Sequence, residues 1–401
     1  MKKKALIIFK AEWYWNKFII KKVSKFYQAE HIHLEKIKKN YLDTIKEINN
    51  LIREKRIEVV IFDVDYQKFV NLFFINEIKN VKKIMMSWDN YERKNFNMLT
   101  ASSCHVVMTD PISIMEYNEI GIPAYFVPLE SDGSFYKNLK LKKDIDVLFF
   151  GKINQDRKSY VRFLEENGIK IKIVGNNVEN TVSDEELVNL MCKSKIVINF
   201  SKTTWGRIMN FPEKNVFKTA YQLKGRIIQA GLCGTACVSE YAPHHELIYK
   251  DDELLQFKNK EQCLEILKNL LNDSEKLSNY SEKFSNKTRK CYEDEKTFGN
   301  LQNYIQKIDN GKINKNLHVL KKIPYWYKRI CAKQILLRDL RLSKIFRSSI
   351  QFKEIFKVVK GSNLVEKILI FIESILNFFW YSSLNTLKGK GEGKNRYTDE
   401  L

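Results

Sequence analysis

Over the first three hundred residues, short apolar runs alternate with stretches in which apolar positions recur every three or four residues. The runs ALIIF, EVVIFD, KIMMSWD, HVVMTD and AYFVPL are too short for helices and too continuously apolar for half-exposed strands, so they predict strands buried on both faces. The rhythm restarts near residue 145 with DVLFFG, IKIVG, KIVINFS, TACVSE and ELLQFK, with helices expected at about 157–167, 184–193, 218–232 and 261–271. Strands and helices in alternation predict α/β layers with mostly parallel strands. Between the first two strands, residues 18–55 read as one long basic amphipathic stretch.

The segment VPLESDGSFYKNLKLKKDID gathers turn residues and charge and marks a joint. The expected organisation is two Rossmann-like domains, residues 1–138 and 139–308, followed by a basic amphipathic helical tail, residues 309–401. Three strands of the first half end on a carboxylate, at Asp63, Asp89 and Asp110. Open parallel sheets bind ligands beyond the carboxyl ends of their strands, so these ends are where chemistry is expected. The opening MKKKALIIFKAEW is basic and then apolar, but its apolar part is too short for a signal peptide and reads as a first buried strand.

Composition sharpens this picture in two respects. A hydrophobic fraction of 44% with 12% aromatics excludes wholesale disorder, and the net charge of +21 is unevenly spread. Residues 311–401 carry 19 Lys and Arg against 7 Asp and Glu, an excess of 12, which suits an anionic surface. Within this tail NLVEKILIFIESILNFFWYSSL is interrupted by Glu366, Lys367 and Glu373, too much charge for a spanning helix. Glu366, Glu373 and Asn377 share one helical face, a pattern that suits either an interfacial helix or a helix docked on the protein's own body. The seven cysteines are scattered, several in apolar runs, as in a reducing, cytoplasmic compartment.

Candidate chemistry concentrates in the second half. Gly151 allows a tight turn after a strand, and Lys152, Arg157 and Lys158 put positive charge beside a helix N-terminus, a place receptive to phosphate. Neither G-x-G-x-x-G nor a P-loop is present. Asn199 and Ser201 close a buried strand, and the helix expected next carries Gln222, Lys224 and Arg226. Arg, with its planar donor fork, is the better diphosphate clamp of the two cations. Simple solvation of these charges is the competing reading of the residues alone. Cys233, Cys237, His244 and His245 lack the spacing of a structural zinc site, so no metal is expected. In the first half, Asp89 in SWDNYER can orient or deprotonate a hydroxyl acceptor, or can simply cap a helix.

Taken in order and spacing, DVLFFGKINQDRKSY, IKIVG, ELVNLMCKSKIVINFS and YQLKGRIIQAGLCGTACVSEYAPHHELI resemble the donor-binding domain of CgeB-like, spore-maturation-type glycosyltransferases. The resemblance covers about residues 145–300; SWDN, VVMTD and GIPAYFVPLESD extend it more loosely into the first half. It implies the two-domain GT-B fold and transfer of a sugar from a nucleotide-diphosphate donor, often a UDP-sugar, to an acceptor held by the first domain. It places Gly151, Lys152 and Arg157 near the diphosphate, Asn199 and Ser201 along the nucleotide pocket, and Arg226 close to the donor. It implies no metal and no cofactor, the nucleotide-sugar being a substrate. One departure stands out: related enzymes place a glutamate where this chain has Gln229, and the position eight earlier is Tyr221. A glutamine hydrogen-bonds but supplies no negative charge.

The expectation is therefore a cytoplasmic glycosyltransferase acting on a saccharide or lipid-linked acceptor in surface polysaccharide or glycoconjugate assembly. Peripheral contact with the inner face of the membrane is expected through residues 311–385. Two other readings fit part of the sequence: a non-catalytic sugar-nucleotide binder, which Gln229 favours, and a nucleic-acid binder using the basic tail. No recognised nucleic-acid motif is present, so nucleic acid is not expected as a partner.

Overall fold

In the computed structural model, the first apolar run forms β1 (Lys4–Phe9), in which every residue from Ala5 onward is buried. A strand covered on both faces needs a neighbour on either side, and β1 has them: β2 (Gln28–His33) and β3 (Val59–Asp63), both parallel to it. β4 (Lys82–Ser87), β5 (Val106–Thr109) and β6 (Ala124–Phe126) extend the sheet, giving the order β2-β1-β3-β4-β5-β6. The structure describes residues 2–13, 15–64, 69–87, 94–127, 132–151, 153, 155–175, 181–202, 221–293, 296–309, 323–346, 355, 358–360 and 362–387.

A second sheet repeats the plan. β7 (Ile145–Phe150), β8 (Ile171–Val174), β9 (Ser194–Asn199), β10 (Ala236–Glu240) and β11 (Leu255–Phe257) run parallel in the order β11-β10-β9-β7-β8. In both sheets the chain starts centrally, moves out to one edge, then crosses back to the other side. The strand order therefore reverses between β1 and β3 and again between β7 and β9. Connections leaving such a pair diverge and open a crevice, the place where ligands bind in doubly wound sheets.

The crossovers explain the two cores of the first sheet. One face is covered by α1 (Asn16–Phe26), through Ile19 and Val23, and by α11 (Lys296–Asp309), through Leu301, Ile305 and Ile308. The other carries α2 (Tyr41–Lys55), α3 (Leu72–Glu77), α4 (Lys94–Ala101) and α5 (Pro111–Glu119). Asp110, at the end of β5, caps α5 by accepting hydrogen bonds from the Ile112 and Ser113 amides and the Ser113 hydroxyl. The second sheet is flanked by α6 (Gln155–Glu166), α7 (Asp184–Lys193), α8 (Gly225–Leu232), α9 (Lys260–Leu271) and α10 (Ser274–Glu293).

The expected strands are present, with two corrections to the expected elements. Residues 18–55 are not one amphipathic stretch: α1 ends at Phe26 and the edge strand β2 intervenes before α2. Its sequence QAEHIH hides it, because an edge strand shows polar side chains to water. The helix expected at 218–232 begins, among the described residues, at Gly225, so Gln222 and Lys224 precede it. Tyr221 instead pairs with Lys202 in an antiparallel bridge.

Much of the basic tail is part of the body. In α12 (Tyr325–Phe346), Tyr327, Cys331, Ala332, Ile335 and Leu336 join the core beneath α2–α4. The buried Tyr327 hydroxyl accepts from the Leu72 amide at 2.8 Å and meets Thr100 Oγ1 at 2.8 Å. Arg338 donates to the carbonyls of Ile37 and Lys39 and lies 4.3 Å over the Phe69 ring. A last helix, α13 (Leu364–Leu387), packs on α12. Among the described residues no helix is long and apolar enough to cross a membrane.

Candidate functional site

The crevice between β7 and β9 starts from a glycine. Gly151 follows β7 with φ +113°, a conformation open to glycine and few other residues, and its amide donates to the Val174 carbonyl at 2.9 Å. Beyond this turn α6 begins, and Arg157 in its first turns folds inward rather than out to water. It is 6% exposed, lies 5.8 Å from the Phe200 ring and 6.0 Å from the Phe149 ring, and donates to the Lys202 carbonyl at 3.3 Å.

Arg226 reaches the same corner from the first turn of α8. Its guanidinium stacks 5.0 Å from the Phe149 ring and donates to Asn199 Oδ1 at 3.0 Å. Asn199 has no freedom to do otherwise. Its amide donates to Ser201 Oγ at 3.1 Å and Ser239 Oγ at 2.9 Å, which leaves the carbonyl oxygen facing Arg226. Asn199, Ser201 and Ser239 are fully buried, so they form a post that aims the arginine.

Burial, reinforced by the nearby charge of Arg157, lowers the Arg226 pKa to about 9; burial lowers that of Arg157 to about 10. Both remain cationic at neutral pH. Among the described residues Arg226 has no carboxylate ion pair. Two guanidiniums thus converge on an aromatic floor at the carboxyl edge of a parallel sheet, where an anion would offset their mutual repulsion.

Glu240, at the end of β10, was not apparent from the sequence. Burial raises its pKa, and it accepts from the Lys202 amide at 2.8 Å. It helps hold the segment that Arg157 also grips. Gln222 is 2% exposed; its backbone N–H donates to the Ser201 carbonyl and its side-chain oxygen accepts from Lys224. Gln229, three residues after Arg226 on α8, lies on the same helix face and donates to the Tyr136 hydroxyl at 3.0 Å. Lys152 and Asp89 lie outside the described residues. The cysteines are free, and no group of three His, Cys, Asp or Glu among the described residues is placed to hold a metal ion. Cys237 is packed in β10, and His245 Nδ1 bonds Gln256 Oε1 at 2.9 Å.

The matching crevice of the first sheet opens between β1 and β3. The connection after β1 carries Trp13 and Trp15, stacked at 5.2 Å with ring planes 6° apart, and Trp15 is 42% exposed. His33, at the end of β2, contacts Asn16 Nδ2 at 3.3 Å, and Asp63 closes β3. The clue in the sequence was EWYW directly after the first strand, a cluster of rings where a connection needs none.

Residues 157–298 match a family model described as glycosyl transferase-like. The fold is that of the two-domain GT-B glycosyltransferases. A glycosyltransferase from Rickettsia africae ESF-5 superposes with a TM-score of 0.51 at 11% identity, over 77% of this chain and 99% of its own. An alpha-glucosyltransferase in complex with UDP and a 13-mer DNA gives 0.51 at 13% identity, over 76% of this chain and 100% of its own. Sucrose-phosphate synthase from Thermosynechococcus elongatus gives 0.50 at 9% identity, over 77% of this chain and 100% of its own. No curated protein matches the sequence.

Proposed function

We propose that this protein is a glycosyltransferase that takes a nucleotide-diphosphate sugar, with UDP-sugars the first candidates, at the crevice between β7 and β9. The carrying observation is the convergence of Arg226 and Arg157 on the Phe149 ring, with Arg226 set against Gly151 and the buried Asn199 post. A leaving nucleoside diphosphate gains negative charge as the glycosidic bond breaks. Preoriented guanidinium donors and the α6 N-terminus offset that charge without reorganising, and a metal ion is not needed for it. The glycosyl transferase-like match across 157–298 and the UDP bound by the superposed alpha-glucosyltransferase support this reading.

In this reading Gly151, Lys152, Arg157 and Arg226 face the diphosphate, while Asn199 and Ser201 hold Arg226 in place. Gln222, Lys224 and Gln229 border the donor. The acceptor sits at the crevice between β1 and β3, with Trp13 and Trp15 as a stacking surface for a sugar ring and Asp89 as the group that orients or deprotonates its hydroxyl. A CgeB-like donor domain, a role in surface polysaccharide or glycoconjugate assembly, and action at the cytoplasmic face of a membrane through the basic tail belong to the same proposal.

The test is a panel of UDP- and GDP-sugars, followed for binding, donor hydrolysis and transfer. At least one should bind, and Arg226→Ala should weaken it roughly 10- to 100-fold, the worth of a charge-assisted contact. Unchanged affinity in Arg226→Ala would remove the arginine from the site. Binding without hydrolysis or transfer would favour the non-catalytic reading, for which the observation is Gln229, engaged with Tyr136 where the family resemblance implies a carboxylate.

A further inference from the structure

Helix α13 is built inside out. In a helix on a globular surface the apolar stripe faces the core and the charges face water. Here Glu373 turns inward, held by Arg329 at 2.6 and 2.9 Å and by Lys333 Nζ at 3.4 Å, all from α12. Tyr325 donates to the Glu366 carbonyl at 3.1 Å, and Ile370 is buried beside this seam. The Glu373 carboxylate is thus engaged by the protein's own cations. The outward stripe consists of Leu364, Val365, Ile368, Leu369, Ile372 and Leu376, each between 47% and 71% exposed. Positions 364, 368, 372 and 376 follow one another every four residues and 365 and 369 flank them, so they form one continuous apolar face.

We infer that this face is seated in the interfacial layer of an anionic lipid membrane, with the helix lying flat and its outward stripe immersed. The inference rests on the membrane contact proposed above and specifies which helix makes it, by which face, and to what kind of lipid. Three observations select a lipid surface over a second copy of the chain. The helix is not apolar enough to cross a bilayer, yet over 24 residues it would lie about 36 Å along one. Residues 311–401 carry a charge excess of 12, so symmetric pairing of two such tails is opposed by repulsion, while an anionic surface attracts them. Directly after α13 the sequence KGKGEGKNR adds four basic residues against one acidic, beside the proposed contact. Because α12 is rooted in the first core through Tyr327, lipid contact would hold the first sheet, with its β1–β3 crevice, against the membrane.

The test uses the full chain and sedimentation with vesicles, either phosphatidylcholine alone or phosphatidylcholine mixed with phosphatidylglycerol. Wild type should sediment with the anionic vesicles, less with the neutral ones, and less as salt rises. The double variant Ile368→Asn with Ile372→Asn should lose at least about tenfold in vesicle partitioning. Its melting temperature and nucleotide-sugar binding should stay unchanged, because both side chains are half-exposed and distant in sequence from the donor crevice. Failure of wild type to sediment, or equal sedimentation of the double variant, would overturn the inference. So would a wild-type dimer that the double variant dissociates, seen by sedimentation equilibrium. Arg226→Ala separates the two proposals: it should keep vesicle binding while losing nucleotide-sugar affinity.

Discussion

The guanidinium of Arg226 occupies the space that a side chain on Gly151 would need: a Cβ added there would lie 2.7 Å from Nη2. The turn after β7 and the first turn of α8 are therefore matched to each other, one by lacking a side chain and the other by reaching across. Gly151→Ala should be penalised twice, by the φ of +113° and by displacement of the arginine. We expect a folded protein whose nucleotide-sugar affinity falls by about tenfold or more, measured by titration calorimetry. Wild-type affinity in a well-folded Gly151→Ala would show that the arginine does not need this position.

Arg226→Lys tests geometry apart from charge. Lysine keeps the cation but loses the planar fork that bonds Asn199 and, in the proposed complex, would hold a diphosphate at the same time. Its affinity should fall between those of wild type and Arg226→Ala. If Lys equals Arg, only net charge matters at this corner.

Tyr327→Phe tests how firmly α12 is rooted. Thr100 donates its own proton to the Phe96 carbonyl, so the Tyr327 hydroxyl donates to Thr100 and accepts from Leu72. Removing it leaves a buried amide without its partner, at a cost of about 1–3 kcal/mol. The urea midpoint should fall without a change in slope, while donor binding is retained.

Asp110 gives a pH signature. Burial raises its pKa from 3.8 to about 7, against the hydrogen bonds from Ser113 and Ile112. The folded state therefore holds this proton more tightly than the unfolded state. Its contribution to stability is fully present below about pH 4 and is lost as pH rises towards 7. Asp110→Asn keeps a capping oxygen and removes the titration, so the difference in melting temperature between variant and wild type should change across this window. A constant difference from pH 4 to 8 would mean that Asp110 titrates normally.

The sequence was most informative where one element is covered on both sides. β1, β3, β4, β5 and β9 are nearly continuous apolar runs and could be placed to within a residue or two. β2 escaped because an edge strand has only one covered side, and QAEHIH mixes the two. At the donor crevice, Gly151 and Arg226 were visible as a turn glycine and a cation at a helix start. The burial of Arg157 was not, since QDRKSY reads as solvated; only the fold brings Phe149 and Phe200 around it. The resemblance implies that Asn199 and Ser201 line the nucleotide pocket; only the fold shows that their polar atoms bond to each other, to Ser239 and to Arg226. Spacing in α12 marked an apolar face, but no local pattern could name α2–α4 as its cover.

That cover has a practical consequence for anyone shortening the gene. Charge composition sets off everything after residue 310 as an appendage, and a deletion there would be the natural first attempt. Yet Tyr327, Cys331 and Ile335 are fully enclosed by the first sheet's helices, so such a deletion would strip one wall from a folded core. The expected result is insoluble material, easily mistaken for a lipid requirement. Ile355, Val358, Val359 and Ile370 belong to the same core, so a useful truncation or fusion site lies downstream of α13.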